Sequence, residues 1–287
     1  MEISDTIFPM ILSRFQADAI LRAHKDGKSA VRISPDLGLT TIEAALCHEG
    51  VVFPGGQSLS LQNLAAISAH ENACFRFDRN GLEPVRIFSE ESGRTYSLVP
   101  TSSAPALMIC GFLMHRIKGT DPWRAAAGMV EALAPLKGRI LDTATGLGYT
   151  AIKAAALGAQ VTTIEIDPNI RELAWMNPWS RPLFDNPKIS LVSGDCTHEI
   201  ETFATESLNA ILHDPPAFDV AGELYSAAFY RQAWRVLSRN GKMFHYIGDP
   251  SSKSVKKVTT GVVRRMKDAG FRRVVPRPDA FGIVALK

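Results

Sequence analysis

Apolar and polar positions follow a regular alternation of short and long segments from Gly138 to the end of the chain. Short apolar runs rich in β-branched residues alternate with longer helical patterns. Such alternation favours an α/β fold with a parallel sheet buried on both faces. The pattern at the C-terminal end of the chain predicts a helix followed by an antiparallel hairpin at the edge of the sheet. The predicted strands cover 139–142, 160–166, 189–192, 210–212, 242–247, 271–275 and 283–286, and the predicted helices cover 150–157, 169–176, 225–237 and 262–269.

The first part of the chain has a different pattern. Its apolar segments are short and separated by Gly, Asn and Ser, which is typical of strands joined by turns. We therefore predict a small β-rich N-terminal domain over residues 1–121 and an α/β domain over 122–287. The junction lies in 115–123, where Gly119 and Pro122 interrupt regular structure. The N-terminal domain is predicted to have strands at 31–33, 51–53, 74–77, 85–88 and 96–99, and helices at 11–24 and 60–70.

Composition narrows the class of protein. The chain is 46% hydrophobic and 21% charged, an ordinary globular balance, and its net charge of +3 does not by itself call for nucleic acid. The four cysteines are widely spaced without a CxxC pair, so no metal site is expected. Residues 1–5 contain two acids and no basic leader, and the apolar runs are too short for a membrane. We expect a cytoplasmic protein without a membrane partner, and the sequence does not indicate an oligomeric state.

A glycine-rich turn lies between the first predicted strand and helix of the α/β domain. Glycines there let the backbone approach a ligand closely, and the following helix points free N–H groups at it. A Gly-x-Gly turn also has purely structural uses. We predict that this turn binds a cofactor through Asp142, Thr143, Ala144, Thr145, Gly146, Gly148 and Tyr149.

Acids follow the next two predicted strands. Glu165 comes 19 residues after Gly146, a spacing typical of a carboxylate that accepts hydrogen bonds from ribose hydroxyls. Asp195 lies where it can accept from an adenine amino group, although a plain turn would explain it too. The neighbours Ile166 and Cys196 complete the predicted cofactor-binding set.

An Asp-Pro-Pro sequence follows the fourth predicted strand. Two prolines remove two N–H donors and fix the backbone, so the segment presents carbonyls and a carboxylate at the sheet edge where α/β proteins bind ligands. We predict catalytic roles for Asp214, Pro215, Pro216 and Phe218. His213 and His245 adjoin the same edge, as general bases or as structural residues.

These signals resemble a known family. Residues 138–287 resemble a class I methyltransferase dependent on S-adenosyl-L-methionine (SAM), with a Rossmann-like sheet. Segments 34–39, 115–123 and 214–226 resemble an uncharacterised archaeal group of predicted methyltransferases. The resemblance implies SAM as cofactor and a loop at Asp214 that holds an acceptor amino group while an aromatic ring stacks on the substrate. Ala217 intervenes between the prolines and Phe218, which departs from the motif of amino-methylating relatives. This spacing resembles that of ribosomal RNA base methyltransferases.

Two alternatives remain open. Segments 161–167, 187–195 and 221–230 resemble spermidine-synthase-like aminopropyltransferases, which use decarboxylated SAM and carry a second acid three residues after the first. Here that position is Ala217. The other alternative is a non-catalytic nucleic-acid binder, because a basic strip at 253–277 holds nine basic residues and one acid. A solvated helix face would explain the strip as well. The preferred acceptor is a nitrogen on RNA or protein.

Overall fold

The computed structural model describes residues 9–287 apart from the side chain of Ser254. The opening residues, on which the expectation of no leader rests, lie outside the described residues. The chain forms two compact units. One contains the residues up to Pro122 together with Trp175–Trp179, and the other contains Trp123–Ala174 and Ser180–Lys287. The predicted division at 121/122 did not include the return of Trp175–Trp179 to the first unit.

From residue 9 onward, the first unit consists of three small antiparallel sheets and two helices. The sheet orders are β1-β6-β7, β2-β3-β4-β5 and β11-β10-β9-β8. Helix α1 begins after Ser13, which caps it, and a strand occupies the residues before Ser13 that the sequence assigned to the helix. In chain order the elements are β1 (Met10–Leu12), α1 (Arg14–Lys25), β2 (Ala30–Ile33), β3 (Ile42–Cys47), β4 (Gly50–Val52), β5 (Ser58–Ser60), α2 (Leu61–Ala69), β6 (Phe75–Asp78), β7 (Gly81–Pro84), β8 (Arg86–Ser89), β9 (Arg94–Val99), β10 (Ala106–Ile109) and β11 (Phe112–Leu113).

The second unit alternates strands and helices, as the sequence pattern predicts. Its elements are α3 (Pro122–Glu131), β12 (Arg139–Asp142), α4 (Tyr149–Ala156), β13 (Gln160–Glu165), α5 (Pro168–Met176), α6 (Arg181–Asp185), β14 (Ile189–Ser193), α7 (Cys196–Thr202), β15 (Leu208–His213), α8 (Ala227–Val236), β16 (Leu237–Tyr246), α9 (Lys253–Asp268), β17 (Arg273–Arg277) and β18 (Gly282–Leu286). Short 3-10 turns lie at Pro178–Ser180, Gly222–Tyr225 and Pro278–Ala280. None of the helices in residues 9–287 is long and apolar enough to span a bilayer.

A seven-stranded sheet organises this unit in the order β14-β13-β12-β15-β16-β18-β17. Strands β12 to β16 are parallel, and β18 and β17 close the edge as an antiparallel hairpin. After β12 the chain moves outward through β13 and β14, then returns to the other side of β12 with β15. The order therefore reverses between β12 and β15, and parallel sheets bind ligands beyond the carboxyl ends of the strands at such a point.

Apolar side chains cover both faces of the sheet. On one face α8 and α9 contribute Phe229, Tyr230, Val262 and Met266 to a buried cluster with strand residues such as Ile211. Helix α4 packs on β12 and β13. Because both faces are covered, polar groups of the central strands emerge only at their ends, which is where the predicted site residues lie.

Candidate active site

The glycine-rich turn joins β12 to α4. Gly146 and Gly148 both have positive φ angles, 53° and 78°, which a side chain would strain. A Cβ at Gly148 would meet the Leu183 side chain at 2.8 Å, whereas a Cβ at Gly146 would meet nothing within 4 Å. Gly148 is thus needed for packing, and Gly146 borders open space. Because the residue that caps α4 is Gly148, no side chain covers the first amides of that helix.

The seven predicted residues of this turn fall into two groups. Ala144 and Gly146 are half-buried. The other five, Asp142, Thr143, Thr145, Gly148 and Tyr149, are buried. The Tyr149 ring meets the Trp123 ring edge-on at 5.6 Å between centroids. A bound ligand would therefore contact the turn through its backbone and its half-buried members.

The carboxylate of Asp142 faces the interior. It accepts hydrogen bonds from Thr150 Oγ1 at 3.1 Å and Thr163 Oγ1 at 2.7 Å, and its side chain is fully enclosed. Burial raises the pKa of Asp142 to about 7. Thr145 Oγ1 lies 2.7 Å from Thr163 Oγ1, so the two threonines link the carboxylate to the turn. These contacts indicate that Asp142 stabilises the turn from the interior of the protein. Sequence reasoning missed Thr163, because nothing in a strand sequence marks a buried hydroxyl as a donor.

Glu165 lies at the end of β13 with its carboxylate against the same turn. Oε2 accepts the N–H of Gly146 at 2.9 Å, and Oε1 accepts the N–H of Asp167 at 3.0 Å. Burial raises the pKa of Glu165. A carboxylate has about four acceptor positions, and these bonds use two. The predicted contact with ribose hydroxyls would use the acceptor positions that these bonds leave on the two oxygens.

The remaining predicted cofactor residues follow β13 and β14. Ile166 is 67% exposed, so its apolar side chain is accessible beside the glycine-rich turn. Asp195 caps α7 through Oδ1, which accepts from the backbone and the hydroxyl of Thr197. Its Oδ2 lies 3.8 Å from His198. Cys196 is buried, and burial raises the pKa of its thiol, which keeps it protonated.

The Asp214 carboxylate lies just beyond β15. It forms no hydrogen bond with any residue in the described part of the chain. Burial raises the pKa of Asp214 to about 7. The strand that precedes it pairs with β12, so Asp214 and the glycine-rich turn border the reversal of the sheet order from opposite sides. This carboxylate has its full hydrogen-bonding capacity available.

The two prolines and Phe218 follow Asp214. Pro215 is buried and Pro216 is exposed. The Pro216 carbonyl accepts the Tyr225 hydroxyl at 3.0 Å, and the Phe218 ring meets the Tyr225 ring edge-on at 5.4 Å. Phe218 itself is 43% exposed, so one side of its ring is free to stack on a planar group. Tyr225 thus supports this loop through contacts with both Pro216 and Phe218.

A buried histidine connects the two sides of the candidate site. His213 Nε2 lies 3.0 Å from the Leu224 carbonyl, which can only accept, so Nε2 carries the proton. Nδ1 then accepts the Thr143 hydroxyl at 2.7 Å. Burial lowers the pKa of His213 to about 3, and the pKa of the neighbouring His245 is also lowered by burial. Both rings are neutral, and His213 is a structural link, not a general base.

Comparison with known proteins identifies the family. Residues 141–245 match the family described as a methyltransferase domain. The uncharacterised protein MJ1233 of Methanocaldococcus jannaschii is 43% identical over 194 residues, which cover 67% of each chain. The chain belongs to the same family as MJ1233. Its second unit carries a methyltransferase domain, whose cofactor is SAM. The predicted class I methyltransferase fold with an archaeal relative is confirmed.

Solved structures with a similar fold include spermidine synthases. One, in complex with the transition-state analogue AdoDATO, has a TM-score of 0.58 at 16% identity and covers 70% of this chain and 72% of its own. The enzyme from Thermotoga maritima has a TM-score of 0.55 at 16% identity and covers 70% of each chain. At this identity the similarity shows a shared fold.

Proposed function

We propose that this methyltransferase-domain protein transfers a methyl group from SAM to a nitrogen atom of an RNA or protein acceptor. The observation that carries the proposal is the Asp214 carboxylate, which has no hydrogen-bond partner among the described residues and lies beside the glycine-rich turn. An acceptor-only group with unused capacity suits a substrate N–H donor. The match of residues 141–245 to a methyltransferase domain supports the reaction class.

Each of the proposed cofactor residues would contact a different part of the SAM nucleoside. The free acceptor positions of Glu165 would hold the ribose hydroxyls, Ile166 would contact the adenine face, and Asp195 Oδ2 would accept from the adenine amino group. The half-buried backbone of Ala144 and Gly146 would border the remainder of the molecule. When bound, SAM supplies a methyl group on a positively charged sulfur, which is open to attack by a nitrogen lone pair.

The acceptor side orients that nitrogen. Asp214 would accept one N–H, and the second lone pair of the Pro216 carbonyl is available for another. Holding both hydrogens points the nitrogen lone pair toward the methyl group, which is catalysis by positioning. SAM held by the cofactor residues would supply the methyl group, with its S–C bond breaking as the N–C bond forms, and the nitrogen would then release one proton. With a pKa of about 7, Asp214 can hold that proton before water takes it.

Aminopropyl transfer is the second candidate, because spermidine synthases share the fold with TM-scores of 0.58 and 0.55. That reaction needs acidic groups for a cationic amine and a binding site without a partner for the SAM carboxylate. Position 217 is alanine, and Asp219, the next acid, is exposed. A single unpartnered carboxylate suits one N–H donor better than a polyamine, which favours methyl transfer.

A direct comparison of two cofactors separates the candidates. Purified protein is titrated calorimetrically with SAM and with decarboxylated SAM. Methyl transfer predicts tighter binding of SAM by at least about tenfold, since a retained carboxylate contact contributes on the order of 1.4 kcal/mol or more. Labelled methyl should then appear in the RNA or protein fraction of a cell extract. Tighter binding of decarboxylated SAM, with label transferred to small amines, would establish the aminopropyl reaction instead.

A further inference from the structure

Five cations form a single row along α9. We call Lys253, Lys256, Lys257, Arg264 and Lys267 the basic ridge; all five are exposed. Each residue advances an α-helix by about 100°, which places these five within an arc of about 100°. Val262 and Met266 lie on the opposite face and are buried in the core. The helix thus directs its apolar residues into the protein and its cations outward.

Charge is strongly segregated between the end of the chain and the rest. Residues 253–277 contain nine basic residues and one acid, Asp268, which leaves 23 basic and 28 acidic residues elsewhere. The modest net charge of +3 therefore conceals a basic region on an otherwise acidic protein. Asymmetry of this kind, with cations along one helix face, is the electrostatic footprint of a polyanion site.

The cations of the ridge are unpaired. None of the five forms an ion pair with another residue in the described part of the chain. Arg265, on the same helix, behaves differently, because it turns inward and donates to the Tyr225 carbonyl at 2.7 Å. A helix face that only keeps a protein soluble usually mixes both signs of charge. The ridge retains its full positive potential for a partner.

The ridge begins at the edge of the sheet that carries the candidate active site. Strand β16 ends beside β15, with His245 paired to His213, the residue before Asp214. The loop after β16 packs on the first turn of α9, where a Cβ at Gly248 would lie 3.2 Å from Val255. From Lys253 the ridge extends about 21 Å along the helix, at about 1.5 Å per residue.

A cavity of about 310 Å³ adjoins the ridge. This is within the size range of small-molecule sites, which starts near 300 Å³. Lys256 belongs to both the ridge and the cavity. The other lining groups are largely apolar or hydroxyl-bearing and include Ile247, Thr259, Thr260, Pro276 and Pro278. An unstacked base fits this chemistry, with apolar contacts to its faces and hydroxyl oxygens at its edge.

We propose that the basic ridge and the adjoining cavity bind single-stranded RNA, with phosphates along α9 and one base in the cavity. This deepens the proposed function by naming the acceptor class, and it rests on that function for its catalytic meaning. The cavity favours RNA over an acidic protein, because a row of carboxylates would satisfy the cations but leave the cavity without an occupant. Single strands expose the bases that such a cavity needs.

The test measures binding of RNA by the full chain. A fluorescein-labelled single strand of about 20 nucleotides is titrated by anisotropy between roughly 50 and 200 mM salt. Lys253→Gln, Lys256→Gln and Lys257→Gln are combined in one variant. The matched control combines Lys25→Gln, Lys137→Gln and Lys188→Gln, which remove the same charge from other exposed positions. SAM binding is measured in parallel for all three proteins.

We expect the ridge variant to bind RNA at least about tenfold more weakly, with a salt slope smaller by about 2, because each lost phosphate contact contributes about 0.7. The control should stay within about twofold of wild type. Equal losses in both variants, or no loss in the ridge variant, would overturn the inference. Competition by polyglutamate as strong as that by RNA of equal charge would also overturn it and indicate an acidic protein partner. If the protein binds RNA but not SAM, the proposed function is contradicted and the inference about the basic ridge stands. If it binds SAM but not RNA, only the inference about the basic ridge is refuted.

Discussion

The carboxylates on the two sides of the point where the strand order reverses, between β12 and β15, differ in their hydrogen bonds. On the cofactor side, which comprises the turn and the ends of β13 and β14, each predicted acid accepts hydrogen bonds from its own chain. Asp142 accepts two hydroxyls, Glu165 two backbone N–H groups, and Asp195 both groups of Thr197. On the acceptor side, the carboxylate of Asp214 accepts none from the described residues.

This difference indicates which side has its hydrogen bonds formed within the chain and which side needs a substrate to form them. The proposed cofactor side is preorganised, since its turn is fixed by hydrogen bonds within the chain. The acceptor side keeps a half-buried carboxylate without a hydrogen-bond partner among the described residues, so its acceptor capacity is open to a donor. Four predictions test the contrast.

The largest effect is expected at Asp214. Asp214→Asn should reduce methyl transfer by about 100-fold to 1000-fold, the loss typical of removing one group that acts at the reacting centre. SAM affinity should stay within about twofold, because no cofactor-side bond involves Asp214. Labelled methyl incorporation and calorimetry measure the two quantities. The matched control is Asp219→Asn, an exposed acid in the same loop. A variant that loses SAM binding along with turnover would show that the two sides are not separable.

Removing Asp142 should damage the fold of the cofactor side. Asp142→Ala leaves the hydroxyls of Thr150 and Thr163 without their acceptor in a fully buried position. At about 1–3 kcal/mol for each of the two unsatisfied groups, we expect a loss of about 2–6 kcal/mol in the free energy of unfolding. Urea unfolding provides the measurement. Asp185→Ala, at an exposed position on α6, should change stability by less than about 0.5 kcal/mol. Similar values for both variants would refute the supporting role of Asp142.

The dependence of activity on pH tests the state of Asp214. Only the ionised carboxylate has its full acceptor capacity, and its pKa is about 7. Turnover should therefore rise as pH increases through about 7, approaching tenfold per pH unit on the acid side.

The free energy of unfolding should change in the opposite direction and fall as pH increases. The folded-state pKa values of Asp142 and Asp214 exceed their ordinary value of 3.8, so the stability gained from protonation is present below about 3.8 and lost as pH rises toward 7.

A pH–rate profile and a series of unfolding measurements check both trends. Asp214→Asn should flatten the stability trend by removing one of the two acids. His213 should not contribute to either profile near neutrality, because its pKa is about 3. A rate that is flat between about pH 6 and 8 in the wild-type protein would contradict an ionisable Asp214 at the acceptor side.

Much of the second unit could be predicted from the sequence, because its strands are short, apolar and bounded by clear turns. The predicted strand at 139–142 agrees with β12, and the class I methyltransferase fold is confirmed. Strand β16 begins at Leu237, whereas the sequence placed its start at 242. The pairing of β16 with β15 shifts register between Leu237 and Lys242, so residues 238–241 form an irregular insertion in the strand, with Asn240 at a positive φ of 63°. The regularly paired part of β16 therefore starts at Lys242, where the sequence placed it.

Helix α9 was also underestimated. The sequence predicted a helix only at 262–269, whereas α9 begins at Lys253. Lysines and threonines dominate its first half, and the half-buried Val255 and Val258 among them gave only a weak helical pattern. The inward direction of Asp142 could not be predicted either, because it depends on Thr163, which is distant in sequence and is brought close only by the pairing of β12 with β13.

Glu165 provides the most direct test of SAM bound over the cofactor side. The measurement is calorimetric titration of SAM into wild type, Glu165→Gln and the control Glu172→Gln, an exposed acid on α5. We predict that Glu165→Gln binds SAM about 10- to 100-fold more weakly, while Glu172→Gln equals wild type. Absence of binding by wild type up to roughly 1 mM, the upper end of ordinary substrate affinities, or equal affinity in all three proteins, would contradict the account.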